Sequence, residues 1–222
     1  MITTAFLVMT VLVLAMILVE AQQRPRMVYG TLKIIASLWF FVVGIVVVDD
    51  VPGIPAARPL LLVALGLSVL GDVLLVPKGS KRVFKLGLVS FLLAHVMFVP
   101  AFIVRGVDWV VVVVVSAVLL VPLVLVLRWL RAHVRGGLWP AVVAYVVVVT
   151  SMLAVATGAA AHGQTPHGVS MALFFGAFCF WASDLTVARE RFVVHSFVNR
   201  LFGIPLYFFA QLAIIAGYAV GA

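Results

Sequence analysis

Apolar residues run along this chain in long, nearly unbroken stretches, and polar residues gather between them. A helix rises about 1.5 Å per residue, so about 20 apolar residues cross the roughly 30 Å of hydrocarbon in a bilayer. Eight stretches suit that length: residues 3–20, 30–48, 59–76, 84–104, 109–127, 138–158, 168–187 and 199–220. Valine-rich pieces such as VVVVVSAVLLV would read as strand in water. In lipid an isolated strand leaves its N–H and C=O groups unsatisfied, whereas a helix satisfies them within one segment. The pattern therefore predicts an all-α polytopic membrane protein, with eight transmembrane helices in one bundle and a single domain over residues 1–222. The N-terminal MITTAFLVMTVLVLAMILVEAQQ has no basic n-region of the signal-peptide kind, so it is expected to be a retained first span.

Composition points the same way. The chain is 66% hydrophobic and 10% charged, against about half and about a quarter in soluble domains, which leaves too little polar surface to face water. A net charge of +8 raises the question of nucleic acid. The basic residues are instead divided among short pieces between apolar runs, with no aromatic-interleaved patch, so they read as topology signals. All but two of the 15 Lys and Arg lie at one end of the spans: Arg24, Arg26, Lys33, Lys78, Lys81, Arg82, Lys85, Arg128, Arg131, Arg135, Arg189, Arg191 and Arg200. Only Arg58 and Arg105 lie at the other end. This asymmetry predicts cytoplasmic connections after spans 1, 3, 5 and 7, and non-cytoplasmic termini. The single Cys179 excludes an internal disulfide and a thiolate cluster. There is no Gly-rich phosphate loop, GxSxG elbow or HExxH.

An ionisable group at the centre of a span costs at least about 2.5 kcal/mol, so those few carry the functional question. Glu20, Asp49, Asp50, Asp108 and Glu190 fall at span ends or in loops, where solvation is expected. Asp72, in LGDVLL, and Asp184, in FFGAFCFWASDLTVARERF, have apolar residues on both sides, about one turn inside the cytoplasmic interface. Either they make a packing salt bridge, with Lys33 the nearest cation by depth, or they form an acid–base pair. Two carboxylates and one lysine leave one acid without a cation, and a low-dielectric interior favours the neutral form of such a carboxyl. That is how a general acid is made. His95, near mid-membrane, shares a helix face with Gly87 and Phe91, suiting an interhelical hydrogen bond or the orientation of a carboxylate or water. His133, His162, His167 and His195 lie in loops, and no pair has a zinc-like spacing inside the membrane, so no metal site is expected. Span 8 carries Asn199, Gly203, Tyr207 and Gln211 at four-residue steps beside Pro205. This stripe is expected to face the bundle interior, either bonding other helices or lining a cavity.

LGDVLL, VFKLGLVSFLLAHVMFVPAF, FFGAFCFWASDLTVARERF and YFFAQLAII occur in this order. Together with Lys33 the chain resembles the lysoplasmalogenase (YhhN-like) family of integral membrane hydrolases. The resemblance implies hydrolysis of the vinyl-ether bond of lysoplasmalogens, giving a fatty aldehyde and a glycerophospho-ethanolamine or -choline. The expected catalytic residues are Asp72, Asp184 and His95, and the expected substrate-binding residues are Lys33, Asn199, Tyr207, Gln211 and Ser183. No cofactor or metal is expected; the partners are a lysophospholipid and the bilayer, not nucleic acid. The expected location is the plasma (cytoplasmic) membrane of a prokaryotic cell, with the site in the cytoplasmic half. The main alternative is a proton-coupled carrier using the same buried Asp and His, since such residues also make proton relays. An intramembrane aspartyl protease fits poorly. Its GxGD motif is absent, because Val69 and Leu70 precede Gly71 and Asp72, and Ser183 rather than tyrosine precedes Asp184.

Overall fold

Each apolar run forms one helix. The computed structural model describes residues 1–47, 56–77, 80–134, 136–163 and 165–219, so Asp49, Asp50, Lys78 and Arg135 lie outside the described residues. The helices are α1 (Ile2–Ala21), α2 (Arg26–Val47), α3 (Ala57–Leu75), α4 (Lys81–Val104), α5 (Trp109–Arg131), α6 (Trp139–Ala160), α7 (His167–Ala188) and α8 (Phe197–Ala219). All eight are long and apolar enough to cross a membrane, and the described residues contain no strand. A 3₁₀ turn, Gly136–Leu138, leads into α6, and a π-helical turn, Arg189–Val193, extends α7. The sequence boundaries hold except where basic residues end an apolar run. α2 starts at Arg26, directly after Pro25, and α5 continues through Arg128 to Arg131. Long basic side chains let the helical backbone outlast the apolar stretch, because their heads reach water while their stems cover apolar surface.

The closest pairs are α7 with α8 and α3 with α4; α1–α2, α2–α3, α4–α6, α6–α7 and α1–α8 continue the packing, with α2 also on α8. α5 packs on α6 at the periphery and leaves Val110, Val113, Val114, Val118 and Val121 exposed, as a lipid-facing helix requires. Small residues set the closest approaches. A Cβ at Gly176 would stand 3.0 Å from Ile214 N and 3.2 Å from Ala210 O, so α7 and α8 meet backbone to backbone. A Cβ at Gly71 would meet the Phe91 ring at 2.6 Å, which brings α3 against α4 beside Asp72.

Glu20, Arg26, Val76, Lys81, Leu130, Val142, Arg191 and Asn199 all border one cavity. The C-terminal ends of the odd helices therefore meet the N-terminal ends of the even ones, and successive helices alternate in direction. At the other end Asp108 caps α5, accepting from Val110 N at 2.9 Å and Val111 N at 3.2 Å. Its role is a helix cap, which offsets the orphan amides of the first turn.

Candidate active site

Asp72, on α3, is 1% exposed and is approached from two other helices. Lys33 and Ser37 stand one turn apart on α2 and so reach it together. Lys33 Nζ lies 2.9 Å from Asp72 Oδ1, and the Ser37 hydroxyl donates to Oδ2 at 2.6 Å. Tyr207, on α8, donates its hydroxyl to the same Oδ2 at 2.6 Å. One ammonium and two hydroxyl donors suit an ionised carboxylate, which only accepts.

Asp184, on α7, has a different company. Tyr145 of α6 donates its hydroxyl to Oδ2 at 3.2 Å, and His95 Nε2 lies 3.3 Å from that oxygen without an aligned hydrogen bond. The other imidazole nitrogen, Nδ1, is 2.6 Å from the carbonyl of Phe91. Two acceptors cannot approach so closely, so Nδ1 carries a proton and the carbonyl accepts it. A neutral His95 then presents a bare Nε2 to Asp184. Nε2 and the Asp184 carboxyl face each other across 3.3 Å, so a proton carried by either would lie between them. Phe180 and Tyr145 hold the ring in place by edge contacts, with centroids 4.6 and 5.3 Å away.

Both carboxylates line a single cavity of about 800 Å³ together with Lys33, Tyr145 and Tyr207. Leu130, Val142, Val146, Val149 and Trp181 give the same cavity an apolar wall. The arrangement presents two unlike carboxylates to one space with a largely apolar lining.

A profile of the YhhN family matches residues 31–218. The chain belongs to the YhhN family. No curated protein and no solved structure matches it. The YhhN match contains both carboxylate clusters and begins just before Lys33, leaving all of α1 and the first residues of α2 outside. Membership is consistent with a membrane hydrolase.

The residues that the YhhN-like motifs marked out occupy unlike positions. Lys33, Asp72, Asp184 and Tyr207 converge on the cavity, while His95 stands behind Asp184 and does not line it. Ser183 borders the cavity, but its hydroxyl donates to the carbonyl of Phe180 at 2.7 Å. Asn199 lies at the mouth. Its Nδ2 donates to Glu190 Oε2 at 2.9 Å and Val194 O at 2.7 Å, and its Oδ1 accepts from Arg189. Gln211 does not border the cavity; it is fully buried, one turn beyond Tyr207 and beside its hydroxyl.

Two acids expected to be solvated are paired instead. Arg200 bonds Glu190 Oε1 at 2.9 Å through Nη2 and Glu20 through Nη1, joining α1, the π-turn and α8. Two site residues were missed. Ser37 lies one turn beyond Lys33, and Tyr145 is the single hydroxyl in PAVVAYVVVV. That isolation was a signal; what Tyr145 faces was not in the sequence.

Proposed function

We propose that this YhhN protein hydrolyses the vinyl-ether bond of lysoplasmalogens, with Asp184 and His95 as the proton donor and Asp72 as the stabilising carboxylate. The observation that carries the reading is the unlike pair of carboxylates on one cavity with an apolar wall. Vinyl-ether hydrolysis begins with a proton added to the alkenyl carbon one bond removed from the C–O carbon. The double-bond electrons form the new C–H bond, and the C–O carbon becomes an oxocarbenium ion. Water adds to that carbon and loses a proton, giving a hemiacetal. Cleavage of its bond to the glycerol oxygen, with proton transfer to that oxygen, releases aldehyde and alcohol.

The Asp184–His95 pair holds one proton and opens to the cavity through the Asp184 carboxyl, which suits the first step. Asp72 keeps its negative charge through Lys33, Ser37 and Tyr207, and a fixed anion stabilises a neighbouring oxocarbenium ion. The proton that water loses returns to Asp184 and His95, which restores the donor. Paired-carboxylate glycosidases stabilise a similar cation, by analogy only. The basic end of the bundle, where the cavity opens, is assigned to the cytoplasm by the excess of Lys and Arg there.

The test is aldehyde release by purified full-length protein, given a lysoplasmalogen and, separately, an acyl lysophospholipid of the same headgroup. Aldehyde from the first and no fatty acid from the second is expected. Absence of aldehyde from active-site-intact, monodisperse protein overturns the reading and favours a carrier.

A further inference from the structure

We propose that Arg191, Lys81 and Arg26 form a phosphate-binding site at the mouth of the cavity, which takes the phosphodiester of a single-chain lipid. This inference rests on the hydrolase reading for the lipid's identity, and on the arrangement of cations for the site itself.

The cations around the cavity divide into two sets. Lys33 faces Asp72, Arg200 is held by Glu20 and Glu190, and Arg189 is held by Asn199. Arg26, Lys81 and Arg191 also border or approach the opening, and none has a carboxylate within ion-pair distance among the described residues. Both acids at the mouth, Glu20 and Glu190, already share Arg200. Three positive charges therefore stand uncompensated around one opening, and such a field draws an anion toward it.

Arg191 is set for more than attraction. Its guanidinium stacks on the Phe84 ring, with Cζ 3.8 Å from the centroid. Stacking fixes the plane and leaves the N–H edge free, and that planar fork matches two phosphate oxygens. Phe84 and Lys81 are on one turn of α4, so Lys81 and Arg191 flank the same space from two elements.

The apolar wall decides between a free anion and an amphiphile. The cavity that the cations border is also lined by Leu130, Val142, Val146 and Trp181, which offer nothing to a small hydrated ion and can cover a hydrocarbon chain. Phosphate at the mouth and chain along the wall would bring the bond between them past Asp72 and Asp184. Lys33, expected from sequence to bind substrate, is already taken by Asp72.

The experiment measures binding to the purified full chain in detergent. The probes are a saturated 1-O-alkyl lysophosphatidylethanolamine, the 1-O-alkylglycerol of the same chain length, and inorganic phosphate. The saturated ether has no double bond to protonate, so it binds without turnover. The phosphate-bearing lipid is expected to bind at least about tenfold more tightly than the alkylglycerol. Arg191→Gln and Lys81→Gln are each expected to shrink that ratio, and together to bring it near unity. Arg191→Lys keeps charge without the fork and is expected to fall between. Lys85→Gln, exposed and outside the cavity, is expected to keep the wild-type ratio. If loss of the Phe84 stack unfolds the Arg191 variants, Lys81→Gln and Arg26→Gln carry the test. Equal affinity for the two lipids, or a ratio unchanged in these variants, overturns the site. Saturation by inorganic phosphate at the lipid's own concentration overturns the lipid assignment in favour of free phosphate. Because no turnover is involved, a phosphate preference in protein that releases no aldehyde would refute the hydrolase reading alone.

Discussion

Asparagine in place of either aspartate keeps the shape and removes the charge, yet the two sites differ in what the amide meets. At position 184 an amide N–H can donate to the bare Nε2 of His95, so Asp184→Asn is expected to fold with near wild-type stability. It has no acidic proton to give, and aldehyde release should fall by about 10²-fold or more. At position 72 the amide no longer carries the charge that faces the buried Lys33 ammonium, which cannot accept from an amide N–H. Asp72→Asn is therefore expected to lose about 1–3 kcal/mol of stability as well as turnover, measured by unfolding in detergent. The double variant should be little slower than Asp184→Asn alone, because residues acting as a unit are not additive. Tyr145→Phe removes the one hydroxyl donor to Asp184 and should lower turnover by about tenfold with little change in unfolding temperature. Unchanged turnover in Tyr145→Phe would remove Tyr145 from the site.

At the scale of helices, the site depends on α7 and α8 meeting backbone to backbone, because Asp184 and Tyr207 sit on that pair. A methyl at Gly176 meets Ile214 N and Ala210 O, neither of which can rotate away. Gly176→Ala should push the helices apart, destabilise the protein by about 1–3 kcal/mol and lower turnover together. Gly168, near the start of α7, has nothing within 4 Å of an added Cβ, so Gly168→Ala is the matched control and should unfold at or above the wild-type temperature. Equal unfolding temperatures for the two variants would show that the α7–α8 approach does not limit stability. The π-turn after α7 adds one residue to a turn, which lets Glu190 accept from Ser196 N at 2.8 Å and still reach Arg200.

For the whole molecule, the alternating helices put one strongly basic end around the cavity opening, with Arg58 and Arg105 at the other end. Positive residues are retained in the cytoplasm during insertion. A reporter fused after Ala222 is therefore expected on the non-cytoplasmic face, and a cysteine replacing exposed Arg128 should be protected from an impermeant reagent added outside intact cells. A cytoplasmic C-terminal reporter would invert the assignment and place the cavity mouth outside.

The eight spans were legible because lipid imposes a length and an internal hydrogen-bond requirement that any helical span must meet, and both can be counted in the sequence. The cost of an intramembrane charge likewise singled out Asp72, Asp184 and His95 before any contact was known. Pairing was a different matter. Lys33 meets Asp72 because α2 and α3 pack in a particular rotation, and Tyr145 meets Asp184 because α6 packs against α7. Glu20, read from its position as a solvated helix end, meets Arg200 because the first and last helices are neighbours. Hydropathy repeats along one helix and contains no term for which face of a distant helix it will touch. That rotation is set by side-chain packing, such as the bare surface at Gly176, and only the tertiary structure decides it.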